Sequence, residues 1–351
     1  MQSLKIIGLM SGTSLDGLDI AACRFSFDQQ QYHFELLKTK AQAYDELWIN
    51  RLRSAHLLSG EALSLLDVEL GQLHGNWVRE FTTECSFGID AIASHGHTVL
   101  HQPHLGLTLQ VGNAAQIAAI TQKTTISNFR TLDVALGGQG APLVPIGDRL
   151  LFGKYDACLN LGGIANISLE KDGHRIAWDI VPFNMLFNAA ANAVGLAYDE
   201  DGGMAARGQV KDHVLARWNA LDYFKKPMPK SLGREFFEMH YADDLTRMRP
   251  EDFAATAMKH AVDQIKRGVE EFAIKQILVT GGGAFNRYFV ENMNRALPVH
   301  WVIPDAELIN FKEALVFAFL GYLRLHDQVN TLSSVTGARM DSCGGFVTTP
   351  L

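Results

Sequence analysis

The chain has 351 residues, 47% hydrophobic and 20% charged, with a formal net charge of −7, a mean hydropathy of +0.01 and a pI near 6.0. This composition excludes a disordered chain and offers no basic footprint for nucleic acid, the N-terminus does not read as a secretion signal, and no apolar run reaches the roughly 18 residues of a membrane-spanning helix. Length above the usual single-core size predicts two domains with a ligand cleft between them.

In chain order, Lys5 to Leu9 and Leu18 to Cys23 predict two strands around a tight turn that holds Ser11, Gly12, Thr13, Ser14, Asp16 and Gly17. Glycines let a phosphate approach the backbone, amide hydrogens and the hydroxyls of Thr13 and Ser14 can donate to its oxygens, and Asp16 can hold hydrated magnesium. The turn has no lysine before its Ser/Thr, so it is not a Walker A loop, and it opens no helix, so it is not a dinucleotide fingerprint. After a polar turn at Arg24 to Gln31, Tyr32 to Thr39 resumes a strand. Tyr44 to Ser59 and Gly60 to Glu84 read as helices, the second with Leu63, Leu66, Leu70, Leu73 and Trp77 on one face.

Asp90 to Ser94 predicts a short buried strand that ends at the histidines His95, His97, His101 and His104. Ala114 to Thr121 predicts a helix and Thr124 to Asn128 a strand. The run DVALGGQGAPLVP breaks regular structure and is the expected interdomain crossing. Tyr155 to Leu161 is a second apolar strand, followed by the turn Gly162, Gly163, Ile164, Ala165 and Asn166 and a returning strand, Ile167 to Leu169. Helices are predicted at Asn184 to Val194, Val210 to Leu221 and Pro250 to Phe272, with PMPKSLGRE as a proline-punctuated loop. A third strand, KQILVT, leads into Gly281, Gly282 and Gly283 and a helix from about Asn286, a flat floor for a purine or ribose. Alternating strands and helices give an α/β chain with mixed sheets.

Each turn alone is also what an ordinary glycine hairpin looks like. Their combination points to one nucleotide site assembled from distant segments, and the two hairpin-led halves point to an internal duplication. The four cysteines, Cys23, Cys85, Cys158 and Cys343, lack paired spacing and read as reduced, mostly buried thiols of a cytoplasmic enzyme.

The stretches MSGTSLDGLDIA, SHGHTVLHQP, TLQVGNAAQIA, FRTLDVALGGQGAPLVP, LNLGGIANISL, PKSLGREFF, VTGGGAFNRY and SSVTGA together resemble the anhydro-N-acetylmuramic acid kinase family of the actin and sugar-kinase superfamily, from end to end. The resemblance implies a two-domain actin-like ATPase fold, that is, a duplicated ribonuclease H-like fold with an interdomain nucleotide cleft. The implied domains are residues 1–130 with 335–351, and 131–334. It implies a homodimeric, ATP- and magnesium-dependent kinase of cell-wall recycling, which opens the 1,6-anhydro bridge of its sugar with water and phosphorylates O6. By motif, Gly12, Thr13, Ser14, Asp16 and Gly17 would serve phosphate and magnesium, Gly162, Gly163 and Asn166 the second phosphate loop, and Gly281, Gly282, Gly283 and Asn286 the adenosine. Arg130, Glu313 and Asn184 would hold the sugar, and Asp179 would be the catalytic base, in line with a carboxylate that follows the strand-like RIAWD.

Where the family has DTGPGN, this chain has DIVPFN: Ile180, Val181 and Phe183 are expected to alter the sugar-pocket wall, while Pro182 and Asn184 are retained. His97 replaces the amide of HGQT, and Asn128 an acidic residue before FR. These departures leave open a kinase for a different anhydro sugar or a hexose, or a nucleotide or sugar sensor that has lost catalysis. His95 and His97, expected on one face of a strand, could bind zinc or donate to sugar hydroxyls, and the missing cysteine or carboxylate neighbours favour the sugar. Asp133 and Asp148 read as turn caps before a second acid/base pair, and Arg234 and Glu235 as structural. Glu313 is expected to start an apolar helix, where a carboxylate also suits the helix dipole.

Overall fold

The computed structural model describes residues 1–12 and 15–350. The chain divides into two compact units, Met1–Leu151 with Phe311–Leu351, and Phe152–Asn310.

In the first unit, β1 (Leu4–Ser11), β2 (Gly17–Asp28) and β3 (Gln31–Ala43) form an antiparallel meander, joined by β4 (Ala91–Gln102), β5 (Leu107–Val111) and β6 (Thr124–Ser127). β4 runs parallel to β1, and β6 parallel to β4. In the second unit, β7 (Ala157–Leu161), β8 (Ile164–Lys171) and β9 (His174–Pro182) form another antiparallel meander, and β10 (Gln276–Thr280) and β11 (His300–Val302) add in parallel. The tail returns as β12 (Phe346–Thr348), antiparallel on β6. With β5 and β12 set aside, the sheets read β3-β2-β1-β4-β6 and β9-β8-β7-β10-β11, the same order and the same directions twice. This repeated order is the duplicated ribonuclease H-like architecture of the actin-like ATPases, present in strand pairing where the residues themselves show no repeat.

The strands form because β-branched and aliphatic residues pack against a helix layer. Ile6, Ile7 and Leu9 of β1 and Leu159 and Leu161 of β7 are fully buried. The helix Gly60–Thr83 starts on Ser59, whose hydroxyl accepts from the Ala62 amide, and buries Leu66, Leu70, Val78 and Phe81 at helical spacing. In the second unit the helix Pro250–Val269 buries Phe253, Ala257, Met258, Ala261 and Ile265 on the other core. At Gly8 the helix Ala306–Leu325 comes so close that a Cβ there would sit 1.8 Å from the Ala314 carbonyl oxygen.

Several local expectations change. β2 runs on to Asp28, and only Gln29 and Gln30, both at positive φ, make the turn. The first helix closes at Arg53. Short helices, Thr131–Ala135 and Val144–Leu151, bracket the glycine-rich run. Within it, the buried Asp133 accepts 2.7 Å hydrogen bonds from the Gly140 amide and the Thr336 hydroxyl, and Asp148 pairs with Lys312 at 2.7 Å. Both carboxylates are thereby committed to structure. Glu313 stands in the middle of the helix Ala306–Leu325, not at its start, so the helix-dipole account of it does not apply. None of the four cysteines is in a disulfide. Among the described residues, no helix is long and apolar enough to cross a membrane.

Candidate active site

In the second unit, sheet register brings polar residues into line. Thr280 of β10 pairs with Asn160 of β7, Asn160 with Asn166 of β8, and Asn166 with Asp179 of β9. Cross-strand partners project from the same face, so four polar residues lie in one row across the sheet. Sequence reasoning named Asn166 and Asp179 but passed over Asn160 and Thr280. Their signal was a polar residue closing an apolar strand, in LNL and LVT.

Asp179 is half-buried. Its amide donates to the Lys230 carbonyl at 3.0 Å, and its carbonyl accepts from the Tyr223 hydroxyl at 2.6 Å. Its Oδ2 accepts from the Leu232 amide at 2.8 Å. The PMPKSLGRE segment is therefore the strap that aims this carboxylate. Burial raises the Asp179 pKa, and the Leu232 amide opposes the shift.

The two glycine turns of this unit dock on one another. Gly281 has φ +81°, and a Cβ there would meet Asn160 Oδ1 at 2.5 Å, so only glycine fits. The Gly162 and Gly163 carbonyls accept the amides of Phe183, Asn184 and Met185 at the start of the helix Asn184–Asn192, and the Asn184 side chain donates to the Leu161 carbonyl at 2.9 Å. Asn286 caps the following helix by accepting from the Phe289 amide at 2.9 Å. On both sides of Gly202, which abuts Asn286, Leu196, Tyr198, Glu200, Met204 and Arg207 line a cavity of about 370 Å³.

Ile180, Val181 and Phe183 do not form a pocket wall. They are 3%, 0% and 0% exposed, and the Phe183 ring packs edge-on against Phe187 and Phe289 at 5.1 and 4.7 Å. The departures from the family pattern thus fall in the core. They carry no argument for a changed substrate.

In the first unit, Thr13 and Ser14 lie outside the described residues. Around them Ser11 is buried, Gly12 half-buried and Asp16 exposed, and Gly17 begins β2. Asp19, two residues beyond, was not anticipated. Its pKa is raised from 3.8 to about 6, first by burial and then by the charges of Asp16 and Glu313. Glu313 has exposed surface yet dense protein around it, and the second fact sets the direction: desolvation raises its pKa, Asp16 adds to the rise, and Arg130 and Lys312 oppose it. Burial likewise lowers the pKa of Arg130 to about 10, against the pull of Glu313 and Asp133. Arg130 donates to the Gly140 carbonyl at 2.6 Å and to His95 Nε2 at 3.0 Å.

Because the folded Asp19 keeps its proton to higher pH than the unfolded chain, its contribution to stability is complete below pH 3.8 and is lost as pH rises to about 6. Asp19→Asn is therefore expected to flatten the fall in stability across that window, read as urea midpoints at successive pH values. Parallel profiles for the two proteins would refute it.

His95 and His97 do not share one task. Gly96 between them has φ +73°, His95 turns Nδ1 to the Gly96 carbonyl at 2.8 Å, and His97 turns Nδ1 to Ser11. With Nε2 on Arg130, both His95 ring nitrogens are engaged, so His95 positions the arginine. Among the described residues no group of three or more His, Cys, Asp or Glu could hold a metal.

A family model for anhydro-N-acetylmuramic acid kinase matches residues 4–350. Relatives of that name include a Gloeobacter violaceus protein, 38% identical and covering 96% of this chain and 97% of the relative, and an Aliivibrio fischeri protein, 36% identical and covering 95% and 96%. A Saccharophagus degradans protein is 35% identical with 100% of both chains covered. A ROK family glucokinase from Streptomyces griseus, at 12% identity and TM-score 0.38 over 90% of this chain and 98% of that one, is too remote a likeness to add to these. The chain belongs to the anhydro-N-acetylmuramic acid kinase family.

Proposed function

We propose that this chain uses ATP to convert anhydro-N-acetylmuramic acid and water into N-acetylmuramic acid 6-phosphate, in the cytoplasm and as a homodimer, in the recycling of cell wall. The family match across residues 4–350 carries the reading, and the half-buried carboxylate of Asp179 supplies the base it requires. Asp179 accepts a proton from water as that water bonds to C1, the C1–O6 bond breaks, and O6 takes the γ-phosphoryl group while ADP leaves. With Oδ2 held by Leu232, Oδ1 is the oxygen that receives the proton. A raised pKa brings this carboxylate closer to the value at which a general base works best near neutral pH.

The Gly12–Gly17 turn, with Thr13 and Ser14, and the Gly162–Asn166 turn take the phosphates, and the Gly281–Gly283 floor with the cavity beside Gly202 takes the nucleoside. Arg130, held by His95 and the Gly140 carbonyl, binds the sugar together with Glu313. Asn184 supports that role from the hairpin it pins. Asp16, with Asp19 behind it, suits Mg²⁺: the charge of Asp16 helps to raise the Asp19 pKa, crowded hard oxygen donors leave negative charge for a divalent cation to relieve, and magnesium is commonly held by one or two carboxylates plus substrate phosphates. When bound, it neutralises charge on the transferred phosphoryl group.

Incubation of the purified protein with ATP, magnesium and the anhydro sugar is expected to release ADP and the 6-phosphate in equal amounts. ADP release with glucose or another anhydro sugar, and none with this one, would overturn the assignment. Nucleotide binding without turnover on any sugar would do the same.

A further inference from the structure

Behind the first glycine turn runs a buried line of polar side chains that the proposed reaction does not use. Ser11, the last residue of β1, is 1% exposed, His97 of β4 3%, Tyr44 just past β3 5%, and His74 of the helix Gly60–Thr83 0%. Ser11 Oγ lies 3.0 Å from His97 Nδ1 and 2.9 Å from the Tyr44 hydroxyl, which lies 2.8 Å from His74 Nε2. The Tyr44 and His74 rings stack, with centroids 6.2 Å apart, and Trp77 flanks both. His74 Nδ1 is buried and has no hydrogen-bond partner among the described residues.

Counting hydrogens gives this line a direction. Three contacts need three donated hydrogens, and the two hydroxyls supply one each, so one histidine supplies the third. If His97 donates from Nδ1, the line runs to His74 Nε2 as acceptor, and His74 must carry its own hydrogen on Nδ1, a buried N–H with nowhere to go. If His74 donates from Nε2, Tyr44 donates to Ser11 and Ser11 to His97 Nδ1, and the orphan is only a lone pair. A buried unmade donor is the costlier defect, so the second arrangement holds. Burial lowers the pKa of His74 to about 3 and of His97 to about 4, so both rings are neutral near pH 7.

We propose that His74, Tyr44, Ser11 and His97 form a one-way hydrogen-bond chain that fixes the end of β1, and with it the position of Gly12, for the nucleotide phosphates. This rests on the reading of the Gly12–Gly17 turn as a phosphate site. The Ser11 hydroxyl both accepts and donates within the chain, so it is not a phosphate ligand, and its task is to fix the end of β1 directly before Gly12. His97 is also where this chain carries a histidine in place of the family's amide. An amide carries both a donor and an acceptor, so glutamine can serve the same place.

The first measurement is the tautomer of each ring by nitrogen NMR on histidine-labelled, ligand-free protein. Hydrogen on Nε2 is expected for both His74 and His97. Hydrogen on Nδ1 of either ring overturns the direction. The second is nucleotide affinity by calorimetry with the ATP analogue AMPPNP and magnesium, together with KM for ATP and for the sugar. Tyr44→Phe and His97→Leu are expected to weaken nucleotide binding by about tenfold, one hydrogen bond's worth, with KM for the sugar unmoved, while His97→Gln retains the parent's affinity. Affinity within twofold of the parent in both disrupting variants, or loss in His97→Gln equal to that in His97→Leu, overturns the positioning role. If either disrupting variant fails to fold, the NMR result and the glutamine variant still decide. Absence of nucleotide binding in the unaltered protein would sink the phosphate reading and the positioning role together, leaving the tautomers as found.

Discussion

Asp179→Asn is expected to lower kcat by about 10²- to 10⁴-fold, the usual contribution of a positioned general base, while the affinity for ATP stays at the parent's value. The substitution is conservative in everything but charge and basicity. An asparagine side-chain oxygen can accept the Leu232 amide as Oδ2 does, and the main-chain bonds to Lys230 and Tyr223 do not involve the side chain. The strap therefore stays in place, and the loss is assigned to proton transfer. Stopped-time assays of ADP release with saturating sugar, alongside calorimetric titration of nucleotide, separate the two quantities. Retention of full activity would place the base elsewhere. Weakened nucleotide binding would mean that the carboxylate supports the phosphate end and not the sugar end.

Gly8→Ala is expected to be the most damaging single methyl group in the first unit. The added Cβ would lie 1.8 Å from the Ala314 oxygen and 2.8 Å from the Ala318 nitrogen. Both are backbone atoms of a helix whose neighbouring residues Leu315, Val316 and Phe317 are themselves almost wholly buried. No rotamer change relieves such a contact, so either β1 or the helix has to move. Overpacking typically costs 1–3 kcal/mol and the worst cases exceed 4, so a loss of about 3 kcal/mol or more is expected, read as a fall in urea midpoint at unchanged m-value. Because β1 delivers Ser11 and Gly12, the surviving folded protein is also expected to bind nucleotide less tightly. A midpoint equal to the parent's would show that the strand and helix can separate without cost.

What the amino-acid order discloses here is local. Gly12, Gly162 and Gly281 announce themselves because a tight turn between β-branched runs needs no distant partner to be recognised, and the helix Gly60–Thr83 does so through the spacing of Leu66 and Leu70. The residues that escaped are those whose meaning lies in register. Asn160 sits between Leu159 and Leu161 and reads as an interruption until β8 and β10 place Asn166 and Thr280 beside it. Asp19 looks like one acid among many until burial and two neighbouring carboxylates raise its pKa. Tyr44 and His74 are separated by a strand end, a helix and a turn, and only packing joins them. The same limit explains the misreading of Ile180, Val181 and Phe183: a motif shows what differs, and only the packed core shows that the difference faces inward.

The first unit is finished by residues made after the second. β12 closes the sheet against β6, and the Thr336 hydroxyl reaches back to Asp133, 203 positions earlier, whereas the second unit is one uninterrupted stretch, Phe152–Asn310. On a ribosome, where domains fold as units while the chain emerges, the middle of this protein can therefore consolidate before its beginning does. Gly12, at the end of β1, leaves the exit tunnel ahead of the second unit, yet its supporting sheet is complete only when residues 311–351 have followed.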